Sequence, residues 1–197
     1  MNLVDQFTDR LSTPRVHRFT REEYYQLAEI GFFGGKRVEL IDGEILEMAP
    51  RRNDHAVAVE LAVDALRAVF AAGYRVRVQL PFGVADGTEP EPDLAVFHGS
   101  PRDSRDHPTQ ALLIVEISDT TLGYDRGVKS HLYAAAGVLD YWIVNLPGRC
   151  VEVYRHPTPD TASGQIRYAP AEIFIASKVI SPLALPRASI AVADLLP

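Results

Sequence analysis

Two apolar runs in this chain each hold one carboxylate, and that pair constrains the fold more than any other feature. Asp93 opens Asp93-Leu94-Ala95-Val96-Phe97, and Glu116 lies inside Leu112-Leu113-Ile114-Val115-Glu116-Ile117-Ser118. Such runs, rich in β-branched residues, read as buried strands. Burying a carboxylate without a partner costs several kcal/mol, or the group neutralises instead. Two of them on consecutive strands point to a shared cation, and a shared cation points to metal-assisted hydrolysis.

The rest of the chain supplies elements to surround those strands. Thr20-Arg21-Glu22-Glu23 has the spacing of a capping box, so a helix starts there and stops at Gly31. Arg37 to Ile41 and Glu44 to Met48, joined by Asp42-Gly43, predict a hairpin. Asn53 or Asp54 is the expected cap of a helix from about His55 to Ala72, its buried stripe marked by Val57, Leu61, Ala65, Ala68 and Val69. Tyr74 to Leu80 alternates as a half-buried strand, and residues 99–109 read as a polar loop. A helix from about Asp125 to Ala136 follows the Glu116 strand. Leu139 to Leu146 and Cys150 to Tyr154 are further strands joined at Pro147-Gly148, with short β-like pieces in the tail. Trp142 and Tyr141 read as core rather than as a base-stacking platform. The simplest architecture is α/β, a mixed sheet flanked by helices. Residues 1–17 read as a polar lead-in and 18–197 as the folded domain.

Composition narrows the classes. The chain has 197 residues, 47% of them hydrophobic, which suits a domain with a proper core. No apolar run reaches the roughly 20 residues that span a bilayer, and the first residues lack the apolar stretch of a signal peptide. A single cysteine, Cys150, fits a reducing, cytoplasmic setting and reads as a packed residue rather than a nucleophile. The net charge of -6 is not that of a general nucleic-acid binder. Basic residues still cluster at Arg51-Arg52, Arg75 with Arg77, and Arg102 with Arg105. Each pair alone reads more readily as solvated surface than as a phosphate contact.

Four positions carry the candidate chemistry: Glu39, Asp93, Glu116 and Lys129. Taken alone, Glu39 reads as a solvent-facing strand residue, and Asp93, delivered at a strand start by Pro92, as a turn aspartate. Asp125, Lys129 and Tyr133 are spaced to share one helical face, which on its own suggests an exposed Asp125–Lys129 pair worth about 0.3–0.5 kcal/mol. Together the four make a set. Mg²⁺, or Mn²⁺ in its place, takes oxygen ligands and keeps several waters, so Asp93, Glu116 and the Ile117 carbonyl suffice. Lys129 would orient the bound water or offset developing charge. Glu39 would hold a second metal or a water. His55 reads either as a site residue at a helix start or as a capping-region histidine.

These residues resemble the split motif of the PD-(D/E)XK, restriction-endonuclease-like superfamily, and more closely the Uma-two family. The matching stretches are Arg37 to Glu44, His55, Glu91 to Val96, Leu113 to Ser118, Tyr124 to Lys129, Tyr133, and Gly137 to Val144. They span roughly residues 18 to 196. The resemblance implies a restriction-endonuclease-like core, Mg²⁺-dependent cleavage of phosphodiester bonds in nucleic acid, DNA first, and a homodimer. Carried over, Asp93 and Glu116 are metal ligands and Glu39 is the additional acid. Asp125 and Tyr133 support Lys129. The chain departs from the superfamily pattern at Ser118, where lysine is expected, and Lys129 on the next helix is the matching position. Two other readings stay open: a nuclease-fold binding or assembly module that no longer cuts, and a metal-dependent hydrolase of another phosphodiester.

Overall fold

The computed structural model describes residues 15–103 and 106–197. Most of the expected lead-in, and Arg105 with it, lies outside the described residues. The elements run α1 (Arg21–Glu29), β1 (Val38–Ile41), β2 (Glu44–Glu47), α2 (Asn53–Val69), β3 (Tyr74–Val78), β4 (Leu94–His98) and β5 (Leu113–Ser118). A helical stretch follows: α3 (Leu122–Tyr124), a π-helical turn over Asp125–Lys129, and α4 (Ser130–Ala135). Then come β6 (Asp140–Asn145), β7 (Cys150–Arg155), β8 (Thr158–Pro159), β9 (Ile166–Arg167), β10 (Glu172–Ile175), β11 (Val179–Ile180) and β12 (Ile190–Ala191).

A six-stranded sheet in the order β10-β7-β6-β5-β4-β3 forms the centre. Only β5 and β6 pair in parallel, joined by the α3–α4 crossover, and the other neighbours are antiparallel. The sheet is therefore mixed, as the sequence predicts. Strand alternation divides its side chains between two cores. Leu94, Val96, Leu113, Val115, Ile117, Trp142 and Val144 pack with α2 and the C-terminal residues Val192, Leu195 and Leu196. Ala95, Phe97, Ile114, Tyr141 and Ile143 pack with Phe82, Tyr133 and Val138 on the opposite face. Glu116 has the parity of Ile114, so it faces the α4 side. Tyr141 and Trp142 are fully buried core residues, and Cys150 is buried as well.

Local signals hold at α1 and the hairpin. The Thr20 amide donates to Glu23 Oε2 at 2.9 Å and the Glu23 amide to Thr20 Oγ1 at 3.2 Å, which closes the capping box. Asp42 and Gly43 both have positive φ, as the Asp-Gly turn requires, and a Cβ at Gly43 would collide with Arg18.

Three expectations are corrected. Arg52, not Asn53 or Asp54, occupies the cap of α2, and no side chain caps that helix. The buried residues of α2 are Ala58, Val59, Ala62 and Leu66; of the expected stripe, Ala65 and Val69 pack against the same core but are only partly buried. Apolar residues occur on most sides of this alanine-rich helix, and the small Ala58 and Ala62 allow the closest approach to the sheet. The helix expected from Asp125 begins at Leu122 instead, and its middle widens into the π turn.

Candidate active site

The hairpin is anchored where the Asp93 segment enters the sheet. The Glu89 amide donates to the Leu40 carbonyl at 2.7 Å, and the Glu91 amide donates to Glu39 Oε1 at 3.2 Å. These contacts turn Glu39 inward, where it is only 1% exposed. The solvent-facing reading of Glu39 does not hold.

Asp93 lies one step beyond the registered pair Leu94–Val115, opposite Glu116. Its amide donates to Glu116 Oε2 at 3.1 Å, and the Ile117 amide donates back to Asp93 Oδ2 at 3.0 Å. His55 Nε2 lies 3.1 Å from Asp93 Oδ2, and Gln79 Nε2 donates to Oδ1 at 3.0 Å. Burial opposes the charge on Asp93, but His55, Ile117 and Gln79 together hold its pKa below the ordinary value.

Lys129 comes from the π turn and is buried, so the exposed-pair reading fails. Its ammonium donates to Glu39 Oε1 at 3.0 Å and to Glu116 Oε1 at 3.2 Å. The Tyr133 hydroxyl donates to Glu116 Oε1 at 2.6 Å. Burial opposes the Lys129 charge, yet the pull of Glu116 and Glu39 outweighs it, and its pKa stands above the ordinary lysine value. Burial pushes Glu116 up to about 8; Lys129 opposes that shift, while Asp93, Asp125 and Glu39 add to it.

The residue at the motif's lysine position has another task. Ser118 Oγ donates to Asp125 Oδ2, and Thr121 Oγ1 donates to the same oxygen at 2.7 Å. The Tyr141 hydroxyl donates to the Asp125 carbonyl at 3.0 Å. These contacts fix the start of the π turn, which then directs Lys129 toward the sheet. Single π turns of this kind recur at functional sites.

Glu39, His55, Asp93, Glu116, Ile117, Asp125 and Lys129 line one recess with a cavity volume of about 70 Å³, along with Arg37, Arg51, Arg52, Glu91, Asp119, Thr120 and Thr121. Tyr133 backs it through Glu116. Six carboxylates line the recess beside four permanent cations. Glu39 Oε2 is buried without a hydrogen bond, although it lies 2.9 Å from the Lys129 ammonium. Among the described residues no three His, Cys, Asp or Glu side chains form a ready-made ligand group. The available donors are oxygens, and Mg²⁺ needs only one or two protein carboxylates once waters and substrate oxygens complete its shell. That donor set fits a hard cation held by Asp93 and Glu116.

A family model described as "Putative restriction endonuclease", Uma2, matches residues 21–193. The chain belongs to the Uma2 family. A solved structure with the same fold is "a putative nuclease belonging to DUF820 from Anabaena variabilis ATCC 29413". The match has a TM-score of 0.65 at 18% identity and covers 90% of this chain and 97% of that one, a likeness of fold. No curated protein matches the chain. In this Uma2 member two residues at the site, Gln79 and Glu91, were not legible in the sequence. Gln79 follows a half-buried strand, has a positive φ, and meets Asp93 through both its backbone amide and its side chain. Glu91 stands in the matching stretch before Asp93, but its place in the recess depends on the hairpin.

Proposed function

We propose that this protein is a Mg²⁺-dependent endonuclease that hydrolyses phosphodiester bonds of DNA. The observation that carries the reading is the Lys129 ammonium buried between Glu39 and Glu116, with Asp93 directly across from Glu116. Asp93, Glu116 and the Ile117 carbonyl would hold the cation, which supplies a more acidic bound water and offsets charge on the phosphate. Lys129 stays protonated, so it acts as a hydrogen-bond donor and not as a base. It donates to the phosphoryl oxygen that gains charge as water adds to phosphorus and the bond to the leaving sugar oxygen breaks. Glu39 holds Lys129 in place for that role. His55 and Gln79 keep Asp93 ionised and oriented, and Tyr133 orients one oxygen of Glu116. Asp125 acts through Lys129 by anchoring the π turn.

Incubation of supercoiled plasmid with Mg²⁺ or Mn²⁺ tests the reading. Nicking or linearisation that chelator stops, and that Asp93→Asn and Glu116→Gln lose, is the expected result. One observation favours a second reading, a binding module that no longer cuts: hydrogen bonds already occupy both oxygens of Asp93. Titration calorimetry with Mn²⁺ separates the two, because only the nuclease binds metal in a way that Asp93→Asn abolishes. The homodimer implied by the resemblance is also a proposal; exposed Ile173 and Ile175 on the edge strand β10 support it. Sedimentation measures it.

A further inference from the structure

The rim of the recess carries charge opposite to its floor. Glu39, Asp93 and Glu116 are buried at the bottom. Arg37 stands at the open end of the hairpin, where the Met48 amide donates to its carbonyl at 2.9 Å. Arg51 follows Pro50 in the segment that leads into α2. Both line the recess.

Most arginines near a carboxylate in this protein use it. Arg126 pairs with Glu152 at 2.6 Å, Arg155 with Asp140 at 2.8 Å, and Arg52 lies 3.8 Å from Asp119. Arg37 and Arg51 differ. Neither guanidinium makes an ion pair or hydrogen bond with any described residue, although six carboxylates line the same recess. Desolvation, and then repulsion by Arg37, lower the pKa of Arg51. Asp93, Glu91 and Glu116 act on Arg51 in the opposite sense without pairing with it, so its N–H donors stay open to an incoming anion.

Resting on the nuclease reading, we propose that Arg37 and Arg51 form a phosphate clamp that seats the DNA backbone over the acidic recess. A guanidinium matches two phosphate oxygens with two parallel N–H donors. The uncapped N-terminus of α2, whose Arg52 and His55 line the same recess, adds positive potential beside the clamp. The ligand class follows from the donors: guanidinium N–H groups match phosphate oxygens, so the clamp takes the phosphodiester backbone of a polymer.

Fluorescence anisotropy with a labelled DNA duplex, in Ca²⁺ to prevent turnover, tests this on the full chain. Arg37→Gln and Arg51→Gln should each weaken binding about tenfold and lower the salt slope by about one. Arg51→Lys should keep the slope. Cleavage should show a raised KM with kcat little changed, and Mn²⁺ affinity measured by calorimetry should stay equal or tighten, because a nearby positive charge has gone. Wild-type affinity and slope in the double variant would overturn the clamp and leave the nuclease reading intact. A wild-type protein that neither binds nor cuts DNA would overturn both.

Discussion

Asp93 and Glu116 are bound to each other's strands: the Asp93 amide donates to Glu116 Oε2, and the amide beside Glu116, that of Ile117, donates to Asp93 Oδ2. Like charges directly across a sheet are destabilising. Here each is partly offset by the other's backbone. The residual imbalance appears at Glu116, whose pKa is raised, and not at Asp93, whose pKa is lowered.

If the pair holds the catalytic cation, Asp93→Asn and Glu116→Gln should each reduce cleavage by on the order of a thousandfold, roughly 4 kcal/mol of transition-state stabilisation. Neither change alters side-chain volume much, so far-ultraviolet circular dichroism should match the wild type. Retained cleavage in both variants would rule out the assignment.

Lys129→Met tests the buried cation. It leaves Glu39 and Glu116 facing each other without a positive charge, and the expected loss is about 3–5 kcal/mol in urea unfolding. Combining it with Glu39→Gln should recover part of that loss, since the two residues share one interaction. Simple additivity in the double variant would show that the contact is not energetically coupled.

The raised pKa of Glu116 gives a pH dependence in protein freed of divalent metal. The folded state holds this proton more tightly than the unfolded chain, whose value is near 4.5. The stabilising contribution is therefore complete below about 4.5 and is lost as pH rises through about 8. Asp93, with a lowered value, acts the other way: its contribution is lost only on acidification below about 3.8. The urea midpoint should thus fall between mildly acid and mildly basic pH, and Glu116→Gln should flatten the fall. An unchanged slope in that variant would place the titrating group elsewhere.

His55 and Gln79 orient Asp93 from two separate elements. Removing such partners of a metal ligand usually weakens metal binding by about 10- to 100-fold. His55→Ala and Gln79→Ala should each show that loss in Mn²⁺ calorimetry, with the melting temperature changed much less than in Lys129→Met.

Much of this site was legible because local chemistry marks it. The Asp-Gly turn, the capping box and the strand runs depend on neighbours in the chain, and they carry Glu39, Asp93 and Glu116 with them. The spacing of Asp125, Lys129 and Tyr133 also placed them on one face. The α2 stripe was misread because alanine is apolar on every side of a helix, so periodicity alone could not choose the face that the sheet would cover. The partners of Asp93 were harder to read: His55 stood as a candidate without an assigned partner and Gln79 was missed, because both reach Asp93 only through long-range strand pairing and helix docking.

By itself, then, the sequence determined the strands, the turn that reverses the hairpin, and two carboxylates that could not be left alone in an apolar interior. Tertiary structure decided the company they keep. Antiparallel registry set Asp93 against Glu116, the anchored hairpin turned Glu39 from solvent into the core, and Ser118 held the π turn that buries Lys129 between two acids. Each outcome depends on where a second element packs, because burial and charge pairing are properties of a position in space and not of a position in the chain.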